Sequence, residues 1–363
     1  MPEPIENQRP QPGDKPTDAR SGTAAPLAPG AAASFFASEG AVLAGQERFV
    51  APDDEQGLGA VDAVADDSAP SSMWGEAWKQ LRRRPIFWVS AVLIVGAVLL
   101  ALLPGLFART DPTYCQLSDS YGGPVSGHPF GFDRQGCDIF ARTVYGARAS
   151  VTVGVLTTLI VVVLGSVIGA VAGYFGGWVD SLLARFTDIF FAVPFVLAAI
   201  VVMQLFKGRS SILTVVLVLA LFGWPQIARI TRGAVMSVKN EDFVTASKSL
   251  GSGHLAILVR HVMPNAAAPI IVTATVSLGS FIVSEATLSF LGIGLPSTVV
   301  SWGADIATAQ SALRDHISVL LYPAGALALT VLGFIMMGDA VRDALDPKAR
   351  KCVRDALDPK ARK

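Results

Sequence analysis

Six long stretches of the sequence contain no Lys, Arg, Asp or Glu, and they constrain the fold more than any other feature. They are Pro85–Ala108, Ala149–Val179, Ile189–Phe206, Ser210–Ala228, Val262–Ser284 and Ile317–Gly338. Each is close to the roughly 20 residues that an α-helix needs to cross a lipid bilayer. The apolar residues are continuous rather than alternating, so they favour helices over a β-barrel. The sequence therefore predicts an all-α membrane protein with six transmembrane helices.

The composition excludes an ordinary soluble protein. The chain is 52% hydrophobic and 16% charged, with a mean hydropathy of +0.50, whereas about a quarter of the residues in soluble domains are charged. A soluble helical core would need amphipathic stripes rather than six runs that are apolar on every face.

The distribution of Lys and Arg predicts that both termini are cytoplasmic. Four basic residues in Trp78–Pro85 directly precede the first run, and eight follow Asp339. Cytoplasmic segments of membrane proteins carry an excess of Lys and Arg, so the pattern favours an N-in, C-in protein of the plasma (inner) membrane. The predicted outer loop Arg109–Arg148 opposes this rule, because it carries four arginines.

The two ends of the chain differ from its middle. Residues 1–72 are predicted to be a disordered cytoplasmic tail, since Met1–Pro70 holds nine prolines, twelve acidic residues and four basic ones. Residues 73–347 are predicted to form the membrane domain. Residues 348–363 form a basic C-terminal tail, in which Val353–Lys363 repeats the eleven residues of Val341–Lys351. We interpret this hydrophilic pair as a duplication and not as a stacked repeat.

Several polar residues are candidates for structural or functional roles. Arg185 and Asp188 are three residues apart and can pair on one helix face, with contact to a partner protein as the alternative. Glu285 follows a long charge-free run, so it lies near the aqueous edge or faces a polar pathway. Cys115 and Cys137 share the predicted outer loop, as a disulfide if the outside is oxidising or as two free thiols.

Glycines recur every four residues in the second run, at Gly165, Gly169, Gly173 and Gly177. They form a smooth helix face that another helix can approach closely. The pattern fits packing within the chain as well as contact with another subunit.

The sequence predicts no catalytic site. It has no Gly-x-x-x-x-Gly-Lys-Ser/Thr phosphate-binding loop, and its histidines lack the spacing of metal ligands. We expect this chain to bind no metal, cofactor or nucleic acid.

The predicted cytoplasmic segment Arg229–Pro264 is the most informative polar stretch. A helical stretch around Phe243–Leu250 is followed by the turn Gly251–Gly253 and by a second helical stretch, His254–Val262. Glycine after a helix favours a left-handed turn that ends it, and Pro264 is suited to the first turn of the next helix. The segment therefore predicts a short exposed helix between two turns, a docking surface for a partner protein.

A known loop has this pattern. Its residues here are Thr245-Ala246-Ser247, Gly251, His261, Met263 and Pro264. They resemble the coupling (EAA) loop of ABC-importer permeases, although Thr245, Ser247, His261 and Met263 replace the usual Glu, Ala, Ile and Leu.

The peptide-permease branch is more similar still. The similarity includes EDFVTASKSLGSGHLAILVRHVMPN (Glu241–Asn265), HPFGFDRQGCDIFARTVYGARAS (His128–Ser150) and SEATLSFLGIGLP (Ser284–Pro296). Order and spacing agree from about Trp74 to Pro347. The chain resembles the second permease subunit of the dipeptide/oligopeptide (peptide/nickel) importers. That family usually has Gly-Arg-Asp at Gly136-Cys137-Asp138, and the unusual Cys137 supports a disulfide with Cys115.

The resemblance implies a non-catalytic subunit of an ATP-driven importer of di- or oligopeptides, with nickel chelates or another small solute as the alternative. It also implies four kinds of partner: a second permease subunit, two ABC ATPase subunits that bind ATP and Mg, an extracytoplasmic peptide-binding protein, and the lipid bilayer. One ATPase would dock on the coupling loop. A self-contained secondary carrier is the main alternative from another class, but it needs intramembrane ionisable residues, which these runs lack. A non-transport membrane scaffold is a third.

Overall fold

The computed structural model describes residues 73–345. The predicted tail 1–72 and the duplicated segment after Leu345 lie outside the described residues. Within residues 73–345 the chain is helical and has no β-strand. The helices are α1 (Met73–Leu81), α2 (Pro85–Leu102), α3 (Pro104–Phe107), α4 (Ile139–Phe175), α5 (Gly177–Ala192), α6 (Phe195–Leu205), α7 (Ile212–Val238), α8 (Asp242–Ser249), α9 (His254–Ile257), α10 (Met263–Asn265), α11 (Ala267–Phe290), α12 (Trp302–Ala309) and α13 (Ser318–Leu345). Short 3-10 turns occupy Leu117–Asp119 and Gln310–Ala312.

Five of these helices, α2, α4, α7, α11 and α13, are long and apolar enough to cross a membrane. They overlap five of the six charge-free runs. Four of them extend beyond their runs into charged sequence, and α4 and α7 do so the furthest: α4 begins at Ile139, ahead of Arg142 and Arg148, and α7 continues past Arg229 to Val238. The all-helical membrane architecture predicted from the sequence is confirmed.

The third run, Ile189–Phe206, differs from its expected form. It is not one straight helix, because α5 ends at Ala192, α6 begins at Phe195, and the two are bent by 79°. Pro194 has no N–H and disfavours the helical conformation of the residue before it. Val193 is accordingly extended, with φ −100° and ψ 125°. The expectation of a continuous third span is therefore corrected: α5 and α6 reach span length only as a bent pair.

The glycine face of α4 packs against α7 of the same chain. Three glycines lie in turn against three backbone carbonyls: Gly165, Gly169 and Gly173 against Trp224, Ala228 and Arg232. A Cβ on Gly165 would come within 2.8 Å of the Trp224 oxygen, so a larger residue would push the helices apart. Because both residue series increase in the same direction, α4 and α7 run parallel. Gly177 is outside this face, as the first residue of α5.

The two ends of the described bundle meet. Arg84, immediately before α2, donates a hydrogen bond to the carboxylate of Asp343 near the end of α13. Farther along the same pair of helices, Gly333 packs against the Cβ of Leu93. The start of α2 and the end of α13 therefore lie on the same side of the bundle.

At the opposite end, the loop between α3 and α4 is tied to the start of α4. Asp138 caps α4 by accepting a hydrogen bond of 2.9 Å from the Phe140 backbone N–H, and it accepts a second one of 3.0 Å from Thr110 Oγ1. The neighbouring Cys137 is completely buried, and its sulfur is bonded to that of Cys115. Arg142, in the first turn of α4, donates from Nε to Asp305 of α12 at 2.9 Å. Burial raises the pKa of the Asp305 carboxyl to about 6, against the opposing charge of Arg142.

Candidate functional site

The helical stretch expected around Phe243–Leu250 is present in the loop between α7 and α11. This helix, α8, ends at Ser249, and Gly251 follows with φ +79°. Its N–H donates to the Lys248 carbonyl at 2.9 Å and closes the turn. A residue with a Cβ rarely adopts this conformation, so glycine suits the position. The predicted helix and its left-handed end are confirmed.

The second half of the loop is helical but irregular. It runs from α9 through a π-helical turn, Leu258–Val262, into α10. Pro264 has no N–H with which to continue the α-helical pattern to the carbonyl of Arg260, and the wider turn lies directly before it. The expected helical stretch His254–Val262 is present, with this change of helix type near its end.

Apolar side chains anchor the loop to the ends of α4 and α7. Val244, Ile257 and Val262 are fully buried and pack with Tyr174 of α4 and Val235 of α7. Burial of each such side chain is worth about 1.5–3 kcal/mol. The loop therefore has a small core of its own, and displacing the loop would pull on α4 and α7.

Polar contacts strengthen this attachment. Lys239 Nζ, at the end of α7, donates to the carbonyl oxygen of Gly173 in α4 at 2.6 Å. The Tyr174 hydroxyl lies 3.4 Å from His254 Nδ1. One turn before Val235, Arg232 of α7 donates from Nη2 to Asp180 of α5 at 2.6 Å. The beginning of α5, the end of α4, the end of α7 and the loop are thus joined at one place.

The structure divides the predicted loop residues into two groups. The exposed ones are Thr245, Ala246, Gly251, His261 and Pro264. Ser247 is only 9% exposed, and Met263 is partly buried against the loop core. The first group is available to a partner, whereas the second supports the loop from beneath.

Sequence reasoning missed the apolar part of the exposed surface. Leu250 is 86% exposed and Leu255 is 72% exposed, on either side of the turn at Gly251. Phe243 and Val259 are also exposed. A group of large exposed apolar side chains is typical of an interaction site. The sequence signal for this exposed surface was the pair of leucines that flank the turn.

Asp188 pairs across helices and not within its own. Its Oδ1 lies 3.3 Å from Nη2 of Arg229 in α7, and the Arg229 guanidinium stands 4.0 Å above the ring centre of Phe191. The predicted pairing with Arg185 is therefore corrected, because α7 brings another arginine to Asp188. Both charged side chains are about half exposed, so the ion pair contributes little to stability.

Glu285 lies in the packed interior of the described chain. Its side chain is fully buried, and Oε1 accepts a hydrogen bond of 2.8 Å from the Ser289 hydroxyl. The Ser289 oxygen in turn accepts from the Leu295 backbone N–H at 3.2 Å. Glu285 thus supports the chain segment that leaves α11. In residues 73–345 there is no group of three or more His, Cys, Asp or Glu that could hold a metal ion.

Two protein families match most of the described residues, on either side of 125–164. The family described as "Binding-protein-dependent transport system inner membrane component" matches residues 165–351, and the "N-terminal TM domain of oligopeptide transport permease C" matches residues 72–124.

The chain is also similar to complete permease proteins. It is 36% identical to the oligopeptide transport system permease protein OppC of Bacillus subtilis, over 77% of this chain and 91% of the relative. It is 36% identical to the dipeptide transport system permease protein DppC of Alkalihalophilus pseudofirmus, again over 77% and 91%. The glutathione transport system permease protein GsiD of Escherichia coli O157:H7 is 36% identical, over 76% of this chain and 91% of the relative.

Proposed function

The chain belongs to the family of binding-protein-dependent transport system inner membrane components, and from this premise we propose that it forms the uptake path for di- and oligopeptides together with a second permease subunit. It is a transmembrane permease subunit of an ATP-binding-cassette importer and is not itself the ATPase. In the proposed complex, two separate ATPase subunits bind ATP and Mg, and an extracytoplasmic binding protein delivers the peptide.

The observation that carries the proposal is the loop between α7 and α11, with apolar side chains exposed above a buried anchor. We place one ATPase subunit on the surface formed by α8, the turn at Gly251 and α9. Leu250 and Leu255 would be covered by this partner, and Val244 and Ile257 would transmit its movement to α4 and α7. Because the loop is packed and tied to both helices, closure of the ATPases would shift them between two arrangements.

We further propose six membrane crossings with both termini in the cytoplasm. The parallel course of α4 and α7 supports one crossing by the bent pair α5–α6, because the chain must return to the other face between them. The contact of Arg84 with Asp343 supports an even number of crossings. The excess of Lys and Arg at these ends supports the cytoplasmic side for both.

Peptides are the substrate class that the relatives support. The oligopeptide, dipeptide and glutathione permeases named above are each 36% identical to this chain. All three names specify short peptides or a peptide-like thiol. We therefore propose di- and oligopeptides as substrates rather than nickel chelates.

The test is uptake by the complete importer in proteoliposomes. Radiolabelled tri-alanine should accumulate only when the binding protein and ATP are both present. The double variant Leu250→Ser/Leu255→Ser should reduce uptake at least tenfold and release an ATPase subunit during purification. ATP-independent uptake, or no uptake of any short peptide by the parent complex, would refute the proposed function.

A further inference from the structure

Three membrane segments become irregular or polar at one place. They border one cavity of about 320 Å³. Its lining includes the break at Val193–Pro194 between α5 and α6, Pro225 within α7, and Ser277 and Ser280 of α11. That volume falls in the range of about 300–1,000 Å³ typical of small-molecule sites. Pro225 and Ser280 each lie about 20 Å from the first residue of their helices, near mid-length.

Lipid does not tolerate unpaired backbone groups. A proline within a span and a break between helices both leave backbone groups without helical partners, and such irregularity persists only where protein covers it or a water-filled cavity borders it. Both features border the same cavity, so the irregular backbone of two membrane segments lies at one place within the protein.

Much of the cavity lining is aromatic. It includes the side chains of Phe190, Phe191, Phe195, Phe222 and Phe281. Phe281 is buried and fixed against Gly223, whereas Phe191 is 45% exposed. Aromatic rings of this kind offer large apolar contact areas to side chains of many shapes.

The same lining also offers hydrogen-bonding groups. Gln226 is exposed, and within residues 73–345 its side-chain amide has no hydrogen-bond partner. The hydroxyl of Ser284 donates to the Ser280 carbonyl at 2.8 Å, and the hydroxyl of Ser280 donates to the Val276 carbonyl at 3.4 Å. Each hydroxyl oxygen therefore keeps its acceptor capacity, while the amide of Gln226 donates and accepts.

The cavity lining contains no charged side chain. Arg229, which lies over the ring of the lining residue Phe191, is paired with Asp188. A charged group that entered this cavity would lose water without gaining a partner, which is costly at membrane depth. A peptide group, by contrast, is neutral and brings one donor and one acceptor.

On the premise of the proposed function, we propose that this cavity is a transport-path site for the uncharged part of a peptide. Gln226 and the hydroxyls of α11 bind its peptide groups, and the phenylalanines of the lining pack against its apolar side chains. Hydrogen bonds to peptide groups and contacts with broad aromatic surfaces do not depend on the amino-acid sequence of the peptide. One path can therefore accept peptides of many sequences. Charged side chains in the middle of a peptide are disfavoured at this site.

The first experiment removes the amide. In the complete importer, Gln226→Leu should lower ATP-dependent uptake of tri-alanine about three- to tenfold, as expected for one lost hydrogen bond. ATP hydrolysis stimulated by the peptide-loaded binding protein should stay at the parent level. Gln204→Leu is the matched control, because Gln204 is an exposed glutamine on α6 outside the cavity. Equal uptake by the two variants would overturn the proposal, and so would a parallel loss of uptake and hydrolysis, which indicates a structural role.

The second experiment tests whether a peptide occupies the cavity, and it leaves Gln226 unchanged. In a Cys352→Ala background, Ser280→Cys should react with a small neutral maleimide, and the reaction should abolish uptake. Tri-alanine delivered by the binding protein should slow the reaction. Val283→Cys, one turn away on α11 and 43% exposed outside the cavity, should be modified without protection by peptide.

The outcomes separate this inference from the proposed function. If the parent complex transports tri-alanine but Ser280→Cys is unreactive in the assembled importer, a partner subunit covers the cavity and the inference is wrong. Modification that leaves uptake intact, or that peptide does not slow, contradicts it equally. If the parent complex fails to transport any peptide, the proposed function itself fails.

Discussion

Arg84, the last residue before α2, and Asp343, near the end of α13, form an ion pair although 259 residues separate them. The contact closes the helical bundle on the side that carries both ends of the described chain. Separately, the parallel packing of α4 on α7 requires the chain to return across the bundle between Phe175 and Ile212.

The first prediction concerns topology. Reporter fusions after Ser118, Lys207 and Leu313 should report the outer side, and fusions after Gly177 and Ser247 should report the cytoplasm. The pair Gly177 and Lys207 tests the bent helices α5 and α6 directly. The same location for both would mean that the pair is re-entrant, and a cytoplasmic result after Ser118 would reverse the proposed orientation.

The second prediction concerns the outer loop. Cys115 and Cys137 should be recovered as one disulfide-linked peptide when the non-reduced protein is digested and analysed by mass spectrometry. Cys352 serves as the internal control and should be alkylated without reduction. Alkylation of Cys115 and Cys137 in the native, non-reduced protein would show that the thiols are free.

The third prediction separates backbone strain from crowding at the loop turn. Gly251 has φ +79°, but a Cβ built on it meets nothing within 4 Å in the described chain. Gly251→Ala should therefore act through conformation alone, at about 1–2 kcal/mol, and should weaken retention of the ATPase in the purified complex. Gly251→Asn should be milder, because asparagine tolerates left-handed backbone better than most residues.

Gly253→Ala is the matched control for that series. Gly253 is two residues away, has an ordinary φ of −67°, and also has open space around a built Cβ. It should retain the ATPase and transport at the parent level. His254→Ala would be a poorer control, because the imidazole of His254 contacts the Tyr174 hydroxyl. If Gly251→Ala and Gly253→Ala behave alike, the left-handed turn is not needed for docking.

The fourth prediction distinguishes the surface of the loop from its anchor. Leu250→Ala should change the thermal stability of the isolated permease pair very little, within about 0.5 kcal/mol, because the side chain is 86% exposed. It should nevertheless reduce ATPase retention. Val244→Ala removes a fully buried side chain and should destabilise the loop on the order of 2 kcal/mol. Comparable loss of stability in both variants would contradict the assignment of Leu250 to the partner-facing surface.

Local chemistry in the sequence is sufficient to predict much of this protein's secondary structure. Charge-free runs of membrane length predict the helices, since a chain in lipid has to satisfy its own backbone groups. The glycine at position 251 and the proline at 264 predict the turn and the helix start around the loop, because their preferences are properties of single residues.

The long-range arrangement was decided only by the tertiary structure. The four-residue glycine pattern fits packing within the chain and contact between subunits equally well, and the approach of α7 places it within the chain. The partner of Asp188 depends on which arginine another helix brings near. The structure brings Arg229 of α7 to Asp188, although the two residues are 41 positions apart in the sequence. The burial of Glu285, the exposure of Leu250 and the cavity beside Gln226 likewise depend on contacts between distant segments, which residue types and spacing along the chain do not specify.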